Sequence, residues 1–319
     1  MSVPEHFAIR CSGLHKRYGQ AEALKGLDLA GPTNSVFGLL GPNGAGKSTT
    51  MKLLTRQIAP TGGQAWVAGV PITGRAADVR DRIGYLSEQP AFYPWMTGSE
   101  FLNFVGELFG LAPKVRRERC SELLELVGLS GAAKKKIGAF SHGMRQRLGI
   151  AQALMNRPEV LFLDEPVSAL DPIGRKEVLE LLAGLKGKST VFFSSHILTD
   201  VDRICDEIAV LHHGRLLVQA PTQALKEQYA QPVISIELES DASMLSGLLR
   251  QEPYVRRVAI EENLASVLVS DLALAKQRLP ALLVEAKLPL LRYEVTLPTL
   301  EDVFVQLVDE KSVEEGTNQ

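Results

Sequence analysis

Short, nearly unbroken apolar runs punctuate the chain: Val36-Phe37-Gly38-Leu39-Leu40, Val160-Leu161-Phe162-Leu163 and Thr190-Val191-Phe192-Phe193-Ser194. Runs of this length, bounded by turn residues, predict strands buried on both faces. Between them the period lengthens to that of a helix. Thr97 to Phe109 and Pro113 to Val127 carry Leu, Phe and Val on one face and charges on the other. Leu148 to Met155, stopped by Pro158, Arg175 to Leu185 and Leu198 to Cys205 read as further helices, and Glu207 to His212 as a strand. Strands alternating with helices predict a parallel sheet covered on both faces. Upstream, Phe7 to Lys16 and Ala23 to Ala30 predict an antiparallel edge leading into the Val36 strand. Ser48 to Gln57 reads as a helix, Gln64 to Val70 as one strand, and Arg80 to Leu86 as a helix end passing into a strand.

The pattern breaks between Ala220-Pro221 and Gln231-Pro232, which predicts a domain boundary. The expected division is residues 1–228, with a helical subdomain at about 90–155, then an accessory α+β domain at 229–310 and a disordered tail at 311–319. The second domain reads as strand Val233–Leu238, helix Ala242–Arg250, strands Val255–Glu261 and Leu264–Val269, helix Leu272–Ala286 with Pro280 inside it, and strand Leu291–Leu297. That order, β-α-β-β-α-β, matches a ferredoxin-like module. An added helix, Leu300–Val308, is capped by Thr299.

Composition narrows the function classes. Of 319 residues, 45% are hydrophobic and 23% charged, the balance of a folded protein with a sizeable core. A formal net charge of −2 argues against a general nucleic-acid affinity. Cys11, Cys120 and Cys205 are widely spaced and read as reduced thiols, not a metal site or disulfide framework. The first residues lack the apolar centre of a signal peptide, and no apolar run approaches a membrane span. The expectation is a cytosolic chain that reaches a membrane only through a partner. The basic run Lys134-Lys135-Lys136 reads as a solvated face.

The densest chemistry lies at Gly41-Pro42-Asn43-Gly44-Ala45-Gly46-Lys47-Ser48, followed by Thr49. The spacing G-x-x-x-x-G-K-S, after an apolar strand and before a helix, is a phosphate-binding P-loop. Its glycines let backbone N–H groups turn toward phosphate oxygens at the positive end of the helix. Lys47 reaches the β- and γ-phosphates, and the Ser48 hydroxyl ligates Mg²⁺. The strand Val160–Leu163 ends in Asp164-Glu165, which puts two carboxylates at the ligand-binding edge of an α/β sheet. Asp164 is expected to hold Mg²⁺ and Glu165 to act as general base on the attacking water. Gly187-Lys188-Ser189-Thr190 repeats the G-K-S-T core, but Leu182 stands where the first glycine belongs, so it reads as a turn.

Phe140-Ser141-His142-Gly143-Met144-Arg145-Gln146-Arg147 resembles the signature motif of ATP-binding cassette ATPases, and it precedes the Asp164-Glu165 strand as in that family. By the same resemblance, Ser168-Ala169-Leu170-Asp171 is the D-loop, His196 is the switch histidine and Tyr18 is the aromatic that stacks on adenine. Two features depart from the family pattern. His142 and Met144 replace the first Gly and the Gln of the common L-S-G-G-Q, as in the branch that pairs with separate export permeases. In the Q-loop, Glu88 stands where Gln is expected, with Gln89 one place later, and either side chain can supply an oxygen to Mg²⁺ or water.

The resemblance implies an α/β P-loop ATPase with a mixed sheet and a helical subdomain, using ATP and Mg²⁺. Its nucleotides lie between the P-loop of one subunit and Ser141, His142, Gly143 and Met144 of another, so a homodimer is expected. It further implies an exporter subunit at the cytoplasmic face of the membrane. A separately encoded transmembrane permease would be contacted near Glu88 to Phe109. Soluble relatives linked to ribosomes or regulation form the alternative. The ribosomal class should carry two P-loops and a DNA-repair class long inserted heptads; neither is present.

Overall fold

Three parallel strands that end at a common edge set the positions of the chemistry. The computed structural model describes residues 7–73, 79–168, 170–228, 233–296, 300 and 304. The chain divides into two compact units, Met1–Thr222 and Gln223–Gln319.

The first unit opens with β1 (Phe7–Tyr18) and β2 (Ala21–Pro32), then β3 (Val36–Leu40), α1 (Lys47–Leu54), β4 (Gly62–Val67), β5 (Val70–Pro71) and β6 (Ile83–Leu86). The helical subdomain follows as α2 (Gly98–Leu108), α3 (Pro113–Leu126) and α4 (His142–Ala153), which pack on one another. The unit continues with β7 (Val160–Leu163), α5 (Pro172–Ala183), β8 (Thr190–Ser195), α6 (Leu198–Ile204), β9 (Glu207–His212) and β10 (Arg215–Pro221). The strands form two sheets. One is antiparallel, in the order β2-β1-β4-β5; the other runs β10-β9-β3-β8-β7-β6, parallel except for β10. The first two strands therefore belong to a sheet of their own and are not an edge of the P-loop sheet.

One apolar cluster joins the two sheets: Leu14, Leu24 and Leu27 meet Phe37, Phe162 and Phe192. Phe37 stacks on Phe192 with ring centroids 5.1 Å apart, and Phe162 packs edge-on to Phe192. All five residues of β3 and all four of β7 are buried. That explains their unbroken apolar runs.

The sequence expectation also differs from the fold at turns and at a helix start. Gln64–Val70 is not one strand. It reverses at Ala68-Gly69, both with positive φ, so that Val67 pairs with Val70. Such a two-residue turn matches the twist of the strands it joins. Strand β10 escaped the sequence reading for the same reason, the turn here being His213-Gly214. Helix α4 starts at His142, six residues before Leu148, because the Ser141 hydroxyl accepts the Met144 N–H at 3.2 Å and caps it. Helix α2 begins on a reciprocal cap between Thr97 and Glu100. The Thr97 N–H and hydroxyl hold the Glu100 carboxyl below the usual carboxylate range. Lys134, Lys135 and Lys136 are exposed, as a solvated face requires.

The second unit contains most of α7 (Thr222–Gln228), then β11 (Val233–Leu238), α8 (Ser243–Leu249), β12 (Val255–Glu261), β13 (Leu264–Val269), α9 (Leu272–Glu285) and β14 (Leu290–Thr296). Its sheet is antiparallel in the order β12-β13-β11-β14, the ferredoxin-like arrangement. Its own core includes Ile234, Ile236, Leu245, Val267 and Leu279. Helix α9 runs through Pro280. The expected helix 300–308, apart from Leu300 and Phe304, lies outside the described residues, as do Thr299 and the tail 311–319.

Candidate functional site

Strand pairing brings the three motifs together. Leu40 pairs with Ser195 across β3 and β8, and Leu163 with Phe193 across β7 and β8. The P-loop, Asp164-Glu165 and His196 therefore leave the sheet side by side at its carboxyl edge, where such sheets bind ligands. They enclose a cleft of about 230 Å³.

Two glycines of the loop are dictated by space as well as conformation. A Cβ at Gly41 (φ 154°) would sit 2.3 Å from the Leu211 carbonyl oxygen. At Gly46 (φ 109°), the residue that caps α1, it would sit 2.9 Å from the Ala23 oxygen. Any side chain would push the loop off its supports. Pro42, Asn43, Gly44, Gly46, Lys47, Ser48 and Thr49 line the cleft, while Gly41 and Ala45 are buried behind it.

Lys47 is only 6% exposed. Its Nζ donates to the carbonyls of Gly41 (2.7 Å) and Pro42 (3.3 Å) and lies 3.4 Å from Glu165 Oε1. A buried ammonium so provided with oxygens needs no water. Glu165 has φ 49°, a left-handed conformation uncommon for a residue with a side chain. Its N–H donates to Ser194 Oγ (2.9 Å), and its carbonyl accepts from Ser168 Oγ (3.2 Å). That turn aims the carboxylate inward, where Oε2 meets His196 Nδ1 at 2.9 Å. Strain of this kind persists when surrounding contacts hold it, and it recurs at active sites.

Asp164 Oδ1 accepts from Ser48 Oγ (3.2 Å) and Ser194 Oγ (2.6 Å). A hydroxyl and a carboxylate converging at this distance are hard oxygen donors suited to Mg²⁺ shared with phosphates. Glu88 lines the same cleft, and Gln89 is not among the lining residues. Ser168 also lines it. Leu170 lies beside Gly143, Asp171 caps α5, and Ala169 lies outside the described residues.

The remaining expected residues stand apart from this cleft. Ser141, His142, Gly143 and Met144 are at the start of α4 and do not line it. Tyr18, half exposed, carries Lys16 Nζ 5.0 Å from its ring centroid and is likewise not in the wall. Sequence reasoning missed Ser194 and Ala23. Ser194 had a signal: a hydroxyl in a fully buried strand needs a partner.

Comparisons with known proteins identify the family. A family model described as "ABC transporter" matches residues 24–168, and one described as "ATP-binding protein DrrA1-3-like, C-terminal domain" matches residues 221–308. The chain is 39% identical over 295 residues to the uncharacterized ABC transporter ATP-binding protein YxlF of Bacillus subtilis, covering 92% of this chain and 97% of that one. It is 35% identical to the bacitracin transport ATP-binding protein BcrA of Bacillus licheniformis, covering 94% and 97%. It is also 35% identical to the daunorubicin resistance ATP-binding protein DrrA3 of Streptomyces coeruleorubidus, covering 97% and 98%. Among solved structures, the ATP-binding subunit of an ABC transporter superposes with a TM-score of 0.64 at 27% identity, over 70% of this chain and 93% of that one. A dimeric bacterial ABC transporter cassette, MJ0796, gives 0.62 at 25%, over 67% and 98%.

Proposed function

The chain belongs to the family of ABC transporter ATP-binding subunits, ATPases by trade, and from that premise we propose how its own residues bind and hydrolyse ATP to drive export. The observation that carries the proposal is the convergence of Lys47, Ser48, Glu165 and His196 on one cleft, with Asp164 bonded to Ser48 behind its wall.

The P-loop amides and Lys47 hold the β- and γ-phosphates. Ser48 and Asp164, with Glu88 at the cleft wall, hold Mg²⁺, which neutralises phosphate charge when bound. Glu165 takes a proton from the attacking water. The water oxygen bonds to the γ-phosphorus as the bond to the β–γ bridging oxygen breaks, leaving ADP and inorganic phosphate. His196 keeps the Glu165 carboxylate aimed at that water and contacts the γ-phosphate. Tyr18 stacks on adenine. Ser141, His142, Gly143 and Met144 act on the nucleotide of a second copy, which fits their absence from the wall of this chain's own cleft. Ser168, Ala169, Leu170 and Asp171 serve as the D-loop.

The power stroke is delivered to a separately encoded transmembrane permease. Among the described residues no helix is long and apolar enough to cross a membrane. A face of the helical subdomain exposes Tyr93 and Trp95, 5.2 Å apart by ring centroid, with Tyr93 edge-on to Phe104. Exposed aromatics of this kind suit a partner's apolar side chains, and the permease would dock here at the cytoplasmic face of the membrane. The bacitracin and daunorubicin named for two relatives support an antibiotic-like cargo. Phosphate release from MgATP by the purified chain tests the reading. Hydrolysis should vanish with Lys47→Ala, and wild-type hydrolysis by that variant would overturn the assigned site.

A further inference from the structure

Two helices lead away from the Glu165–His196 contact, and an ion pair buried at its Asp200 end and partly exposed at Arg175 joins them one step behind it. From Glu165 the chain passes through Ser168 and Leu170 to α5, capped by Asp171, and the Arg175 N–H closes its first turn on the Asp171 carbonyl. From His196 it passes through Ile197 into α6, with Asp200 in the first turn. Arg175 Nε donates to Asp200 Oδ1 at 2.6 Å. Asp200 is 4% exposed, and its Oδ2 has no hydrogen-bond partner among the described residues.

This pair is a poor choice if adhesion is all that is needed. Burying the Asp200 carboxylate gives up hydration that its attraction to Arg175 must repay, and an apolar side chain there would carry no such cost. An oxygen left without a partner adds to the cost. Moreover, the same two helices already carry an exposed pair, Arg203 to Glu180 at 3.2 Å. What the Arg175–Asp200 pair adds is direction. A single short charge-assisted bond fixes where the first turn of α6 stands relative to the first turn of α5.

We propose that Arg175 and Asp200 are positioning residues: their short bond holds the segment carrying His196 against the segment carrying Glu165, and so keeps the Glu165 carboxylate in its hydrolytic aim. The proposal rests on the reading of Glu165 as the base. Neither residue touches the nucleotide cleft. Loss of the bond therefore acts on turnover and not on nucleotide capture, which belongs to the P-loop and Lys47.

Steady-state hydrolysis and fluorescent-ADP binding by the purified full chain test this. Arg175→Gln and Asp200→Asn should each lower kcat roughly ten- to a hundredfold, the scale of a small misplacement of reacting groups, with the ADP Kd unchanged. The double variant should be no slower than the slower single one, because the two act as a unit. Asp200→Glu should recover part of the rate. Arg203→Gln, which cuts the exposed pair between the same helices, should keep the wild-type kcat. Wild-type kcat in Arg175→Gln overturns the proposal. So does a rate loss matched by an equal loss of ADP-binding protein, or an equal loss in Arg203→Gln. Glu165→Gln is run alongside. If it is active, the assignment of Glu165 fails and the clamp with it; if it is inactive while Arg175→Gln is fully active, the clamp alone fails.

Discussion

Ser194 donates its hydroxyl to Asp164 at 2.6 Å, and the same oxygen accepts the N–H of Glu165 at 2.9 Å. One buried side chain on β8 thus fixes both acidic residues at the end of β7. It holds the carboxylate that would receive Mg²⁺ and the left-handed backbone turn that aims the base. A hydroxyl can do both at once because it has one proton to give and lone pairs to accept.

Ser194→Ala should therefore leave ATP bound and slow its hydrolysis. A hydrogen bond to a charged group is worth about 1.5–3 kcal/mol, so a loss of about 10- to 100-fold is expected. The Mg²⁺ concentration giving half-maximal rate should rise, because Asp164 loses one of its two hydroxyl supports. Ser194→Thr keeps the hydroxyl and should restore part of both. A magnesium titration of hydrolysis that is superimposable for Ser194→Ala and wild type would remove Ser194 from this role.

The parts of the fold legible in the sequence are those where one physical signal dominates. Strands Val160–Leu163, Glu207–His212, Val255–Glu261 and Leu264–Val269 have the bounds that their apolar runs and alternation announce. Strands β5 and β10 were illegible because Ala68 and His213 stand at the first turn position, where Asn or Asp would have signalled a reversal. The start of α4 was hidden by Gly143, a poor helix former in its first turn, although Ser141 is a good cap. At the site, the glycines, Lys47 and the two acids could be read because phosphate chemistry demands them at fixed spacing. Ser194 could not, since its importance depends on which strand lies beside β7. Asp200 and Arg175 are 25 residues apart, and only the packing of α5 on α6 makes them a pair.

Glu88 and Gln89 compete for one role, and the cleft wall favours Glu88. With the permease present, Glu88→Ala should reduce coupled hydrolysis more than Gln89→Ala does. The reverse ranking would move the Q-loop assignment to Gln89.

The three cysteines are free and buried. Burial, with Asp28 adding to it, pushes the Cys11 thiol up to about 12 from an ordinary 9.0, and burial also raises Cys120 and Cys205. The folded chain therefore keeps protons that the unfolded chain releases above pH 9. Stability from this source is intact below pH 9 and falls as pH rises toward 12, by about 1.4 kcal/mol per unit for each thiol so shifted. The Tm should drop between pH 9 and 10.5, and less steeply in Cys11→Ala. At pH 8 a disulfide-exchange reagent should label the native chain slowly and all three thiols once it is unfolded. Fast labelling of the native chain would contradict the burial.

Glu165→Gln separates binding from chemistry. The amide keeps the shape and an oxygen that can accept a hydrogen bond, but it cannot take a proton from water. Hydrolysis should fall by about 100-fold or more, the scale of a lost general base. ATP should still bind, because the phosphates answer to the P-loop, Lys47 and the hydroxyl of Ser48. The signature residues do not line this chain's own cleft, and in the proposed mechanism a second copy brings its Ser141 to the bound ATP. With turnover blocked, ATP should hold two chains together, giving a dimer by size-exclusion chromatography with ATP and a monomer with ADP. Adding Ser141→Arg should abolish the dimer. Ser141 is exposed at the head of α4, so the bulky cation can be accommodated in the monomer while obstructing the facing site. A Glu165→Gln chain that stays monomeric at saturating ATP, with or without its permease, would rule out the paired arrangement.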